Sequence, residues 1–159
     1  MVDVVQRIIK LLEDHVHPDL KRPFYDGDPI AIPASKLPTI SVEMTDCDID
    51  EAATGHDSHL DTIMIKVIVD KRVDFDKKEG EVVAQKTLRD YIKGVGSDGK
   101  LKSNSVVGVL RNNLTLSSAV LDQLMQVNIS VVRRGDDTIT EEAWISLTTE
   151  SIVDMSERT

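Results

Sequence analysis

The densest set of side chains able to do chemistry lies between Thr45 and Asp61: Asp46, Asp48, Asp50, Glu51, His56, Asp57, His59 and Asp61. Carboxylates and imidazoles are metal ligands, so a cation site is the first chemistry to test. Asp46-x-Asp48-x-Asp50 resembles the opening of a calcium loop. Such a loop needs glycine at its sixth position for a sharp turn, and a bidentate glutamate at its twelfth. Glu51 and Asp57 stand there instead. His56 and His59 are three residues apart, with no helical frame to hold them and no evident third ligand. The residues read as a solvated acidic loop, with adventitious or assembly-linked divalent binding as the alternative.

Gly94-Val95-Gly96-Ser97-Asp98-Gly99 matches the dinucleotide fingerprint by letter. That motif works only with a strand before it and a helix N-terminus after it, where backbone N–H groups meet a pyrophosphate. Here a helical pattern precedes it and Lys100-Leu101-Lys102-Ser103-Asn104 follows, so a flexible linker over 94–105 is expected. No nucleophile elbow frames the serines. Cys47 sits among acids, which raise a thiol pKa and make it a poor nucleophile. Arg133-Arg134 is too short a basic run for nucleic acid and is expected to pair with local acids. His15 and His17 could cap the carbonyls of the helix they follow. The reading is of a non-enzyme with no cofactor.

These groups must be positioned by a small set of elements. Val5, Ile8, Ile9, Leu12 and Val16 recur at helical spacing, with Asp3 as N-cap and Pro18 as the stop. Five prolines between Pro18 and Pro38 predict an extended connection, pinned by Phe24 and Tyr25. Thr39–Met44 and Thr62–Asp70 alternate as strands. On the second, Ile63, Ile65, Val67 and Val69 face one way, and Met64, Lys66, Ile68 and Asp70 the other. Glu81–Ile92 reads as a helix ending at Gly94. Val106, Val107 and Leu110 suggest a helical turn, and Leu114–Leu124 another. Val127–Arg134 and Thr138–Thr149 form a strand pair around Gly135-Asp136-Asp137, with Trp144 facing away from Ile145. Residues 150–159 read as a C-terminal tail. The class is α+β: one domain over 1–159, with a mainly antiparallel sheet of about four strands, helices on one face, and long loops.

Composition bounds the function. A chain of 159 residues buries roughly 70% of its unfolded surface and needs no staples. The lone cysteine excludes an internal disulfide. An acid near the start argues against a signal peptide, and no apolar run approaches the roughly 20 residues of a membrane span. The formal charge of −9 disfavours phosphate backbones, and 3% aromatic content offers no stacking platform for single strands.

Leu37-Pro38-Thr39-Ile40-Ser41-Val42, a long acidic segment and then Ile63–Val69 resemble the tail terminator proteins of long-tailed bacteriophages. So do Thr87-Leu88-Arg89-Asp90-Tyr91-Ile92, Ser105-Val106-Val107-Gly108-Val109-Leu110-Arg111 and the closing Glu142-Ala143-Trp144-Ile145. The resemblance spans roughly Val4 to Thr148 and includes element order and size. It implies a virion protein of the head-proximal tail end, assembled in the host cytoplasm as a six-fold ring on the last ring of tube protein. The ring would stop tube polymerisation and present a surface to head-completion proteins. DNA would pass its acidic lumen without being held. The 45–61 loop, with Asp46, Asp48, Asp50, Glu51, His56, Asp57, His59 and Asp61, and the central linker would then be contact elements that order on assembly. The alternatives are another neck or tail-completion protein, a generic cytoplasmic binding or assembly module and, third, a small enzyme with an acidic metal site.

Overall fold

The computed structural model describes residues 3–75, 81–113, 115–116, 119–121 and 125–154. Helix α1 spans Val4–His15, and the Asp3 carboxylate accepts from the Gln6 N–H at 2.9 Å, the expected cap. Its C-terminal carbonyls are not capped by His15 or His17. Arg22 returns from the proline-rich segment and donates to the carbonyls of Glu13 (2.9 Å), Val16 (3.0 Å) and His17 (3.1 Å). A five-donor planar fork reaches several carbonyls at once, which one imidazole cannot.

The segment after Pro18 is extended as expected. It contributes a two-residue strand, β1 (Tyr25–Asp26), parallel to β2 (Thr39–Ala53). β2 pairs antiparallel with β3 (His56–Asp70), and β3 with β7 (Ile139–Asp154) over its whole length. The other side of β7 takes β6 (Gln126–Arg133) and then the shorter β5 (Ala119–Leu121), which carries β4 (Thr115–Leu116). The seven-stranded sheet is antiparallel except at β1, so the chain is α+β. Helices α1, α2 (Ala84–Ile92) and α3 (Val106–Arg111) cover one face. Ile8, Leu12, Leu88, Ile92, Val109 and Leu110 meet Ile40, Val42, Ile63, Ile65, Ile145 and Leu147 there in one buried core. On the outer face Ile32, Leu37 and Ile68 form a second, smaller cluster. The predicted split of β3 into two faces is therefore observed.

Further sequence expectations are corrected. Thr45–Asp61 is not a loop: β2 and β3 pair through it as far as Ala53↔His56, and Gly55 turns the chain at φ +81°. The tail expected over 150–159 is strand as far as Asp154, because β7 continues as the third member of that arm; residues 155–159 lie outside the described residues. In place of the helical turn expected in Leu114–Leu124, the described residues form β4 and β5, antiparallel to each other with β5 on the β7 edge; residues 114, 117–118 and 122–124 lie outside the described residues. The 94–105 connection carries no helix or strand, but it is tied rather than free. Lys102 N–H donates to the Lys93 carbonyl at 3.1 Å, and Lys102 Nζ meets Asp90 at 2.8 Å. It ends at Ser105, whose Oγ caps α3 at the Gly108 N–H. Any Cβ at Gly108 would collide with the Lys102 carbonyl, so the close approach of connection and helix requires glycine there.

Helix α2 starts at Ala84, later than the expected Glu81, and its cap comes from a distance. Asp74 Oδ1 accepts from the N–H groups of Val83 (2.7 Å) and Ala84 (2.9 Å), while Lys71 holds the same carboxylate at 2.8 Å. The Lys71 hydrogen bond, opposed by burial and aided by the two backbone donors, lowers the Asp74 pKa to about 2. Asp74→Ala is expected to cost about 1–2 kcal/mol in urea unfolding at neutral pH. A depressed carboxylate pKa stabilises the fold above its unfolded value near 4, and that contribution fades as pH falls through about 2. The gap between wild type and Asp74→Ala should therefore close in acid; an equal gap at pH 7 and pH 2 would refute the cap.

Candidate assembly surface

The acidic arm follows from one bulge. Before it, Ile40 and Val42 face the helices with Ile65 and Val67 opposite; between Met44 and Asp46 the register shifts by one residue. The shift reverses parity, so the odd-numbered Cys47, Ile49 and Glu51 take over the helix-side face. They lie against Asp61, His59 and Asp57 of β3, while Asp46, Asp48 and Asp50 point to the outer face with Thr62, Leu60 and Ser58. The eight candidate ligands are thus divided between two faces. Among the described residues no group of three or more forms a cation site. An acid in every second position is a strand pattern: Asp46, Asp48 and Asp50 share the outer face at about 7 Å intervals, and the pairing with β3 holds them there.

Helices do not cover the arm's far end. Ile49 is 61% exposed and Ile152, on the third strand, 52%, with Leu60 and Val153 also open to solvent. At its base Asp61 and Thr149 face each other across β3 and β7. Asp61 Oδ1 and the Thr149 hydroxyl are buried without a hydrogen-bond partner among the described residues. Cys47 is opposite Asp61 on β2. Hydrogen bonding to Asp61 first, then burial and the charges of Asp61, Asp46 and Asp48, push the thiol pKa up to about 11. The cysteine is therefore a protonated, weak nucleophile at neutral pH, as its acidic neighbours predict.

The outer face carries a feature that the sequence showed only in part, a buried ionic clamp. Arg134, 5% exposed in its side chain, donates to both carboxylate oxygens of the fully buried Glu142, at 2.6 and 2.7 Å. Glu142 also accepts from Thr140 Oγ1 (2.6 Å) and Trp144 Nε1 (2.9 Å). Arg134 Nη1 reaches Asp28 at 2.7 Å and the Pro29 carbonyl at 2.6 Å, and Lys66 Nζ binds Asp28 at 2.8 Å while lying 4.3 Å from the Trp144 ring centroid. Burial alone would raise both carboxyl pKa values. Hydrogen bonds from Arg134, with Thr140 and Trp144 at Glu142 and Lys66 at Asp28, outweigh it and hold both below the ordinary range. Period-two spacing puts Lys66, Glu142 and Trp144 on one face; only the fold brings Asp28 across 106 positions to Arg134. The expectation that Arg133 and Arg134 pair with local acids holds for Arg134 with Glu142 only; its other acid, Asp28, is distant in sequence, and Arg133 donates to the backbone carbonyls of Gly135 and Asp136 instead.

The clamp fastens residues 27–32 across the sheet. Gly27 N–H donates to the Val42 carbonyl at 2.8 Å, and Ile32 N–H to the Arg134 carbonyl at 3.2 Å, with Ile32 itself buried. Between these anchors Ile30 is 93% exposed. On the helix side, a groove of about 530 Å³ runs between the end of α2 and β6, lined by Arg89, Ile92, Lys93, Val95, Val127 and Ile129. The surface joins exposed apolar groups to fixed charges, a combination found in contact surfaces. Among known proteins, no family model matches the chain and no curated protein is significantly similar to it.

Proposed function

We propose that the chain is a tail terminator subunit that forms a six-fold ring on the end of a bacteriophage tail tube. There it stops tube growth and offers the joining surface to head-completion proteins. The observation that supports this reading best is the three-stranded arm. Eight residues of β2 beyond the bulge span roughly 25 Å, past the helix-covered core, and display apolar side chains on both faces. An isolated subunit gains little by exposing them, whereas a ring subunit buries them on its neighbour or on the tube. The charge of −9 suits a lumen through which DNA slides unheld. The protein would then be a virion component at the head-proximal end of the tail, assembled in the host cytoplasm and without catalytic activity.

A generic assembly module would expose the same residues, so the test must involve the tube. The purified chain added to polymerising tube protein should arrest growth, and electron microscopy should show a six-fold cap on one end. Uncapped ends and unchanged tube lengths at saturating protein would refute the assignment.

A further inference from the structure

We infer that Ile30 is a preorganised knob that seats in the groove between α2 and β6 of a second copy of this chain. The inference rests on the ring reading and names its contact residues. A nearly fully exposed isoleucine is costly on a mobile loop and useful on a fixed one, and this one is fixed. Arg134 holds the chain on one side of it through Asp28 and the Pro29 carbonyl, and Ile32 is anchored on the other. Ile92, Val95, Val127 and Ile129 give the groove an apolar floor, uncovered among the described residues.

Charge selects the second copy as the occupant. Arg89 and Lys93 rim the groove, and no ion pair among the described residues engages either; on the other partner Asp26, on β1 just before the segment that carries the knob, is exposed and likewise in no ion pair among the described residues. A basic rim stands out on a chain of net charge −9, and the same chain carries the acid to match it. Knob and groove are different patches, so the contact is head-to-tail and propagates from copy to copy until it closes.

Complementation tests this directly. Ile30→Asp removes the knob and leaves the groove; Val95→Asp blocks the groove and leaves the knob. Both positions are largely exposed, so both variants should melt as wild type does. Sedimentation of wild type up to its solubility limit should show association. Each variant alone should associate on the order of 100-fold more weakly, since burying one isoleucine side chain already accounts for roughly a 10- to 150-fold change. Mixed together, the two variants should form one-to-one heterodimers and nothing larger, because one good knob still meets one good groove. Variants that associate like wild type, or a mixture that stays monomeric while wild type associates, would overturn the interface and leave the ring reading standing. A wild type that is monomeric alone and also fails to cap tube ends would sink both.

Discussion

Arg134→Met should lower the unfolding free energy by about 3–5 kcal/mol, because it strands the buried Glu142 carboxylate without its counter-ion. The guanidinium supplies both strong bonds to Glu142, at 2.6 and 2.7 Å, and a third to Asp28 at 2.7 Å. Thr140 and Trp144 remain as donors after the substitution, but they are neutral and cannot replace a charge. The paired change Arg134→Met with Glu142→Leu should recover most of the loss, since a well-packed apolar pair is often as stable as a buried ion pair. Urea unfolding of the two singles and the double gives the coupling directly; additive losses would mean that the pair is not a unit. Acid should mimic the substitution. Glu142 and Asp28 are held below their ordinary pKa values, so their stabilisation is complete above about pH 4–5 and disappears as pH falls below that range. The wild-type protein should lose stability there, and the Arg134→Met, Glu142→Leu protein should lose less.

Shortening the arm should abolish capping of tube ends while leaving the subunit folded. Replacing Asp48–Leu60 with Asn-Gly joins Cys47 to Asp61, which already face each other, through a two-residue hairpin turn. Every helix-covered pair from Ile63↔Leu147 to Val69↔Glu141 is retained, so the shortened protein should keep a cooperative melt. Tube-length measurements should then match those made without any terminator. Normal capping by the shortened chain would show that the arm is not a contact element and would remove the main support for the proposed function. A loss of capping accompanied by a loss of folding would be separated by circular dichroism, and a milder variant, Ile49→Asp with Ile152→Asp, changes only exposed side chains.

Much of the fold was legible because it is local. Period-3.6 stripes located α1 and the whole of α2, with a start placed too early for α2; period-two runs located the core halves of β2, β3 and β7, and turn residues located the β6–β7 hairpin. The acidic arm was misread for a physical reason. Asp46, Asp48 and Asp50 alternate with period two like any strand, but carboxylates in the polar positions and a broken apolar run after Met44 looked like loop composition. One bulge restored the apolar alternation, and the third strand, β7, supported the pairing from more than 85 positions away. Capping shows the same division. Asp3 caps α1 from three residues away and was read from sequence, whereas Asp74 caps α2 and Arg22 caps the end of α1 through returns of the chain that no local pattern encodes. The sequence by itself determined which residues had to be buried and which segments could pair, because periodicity and turn chemistry act over a few residues. Only the tertiary structure decided that Asp28, Lys66, Arg134 and Glu142 join in one ionic cluster, and that Ile30 is held out in solvent. A salt bridge between residues 106 positions apart depends on how the sheet is ordered, not on either residue's neighbours.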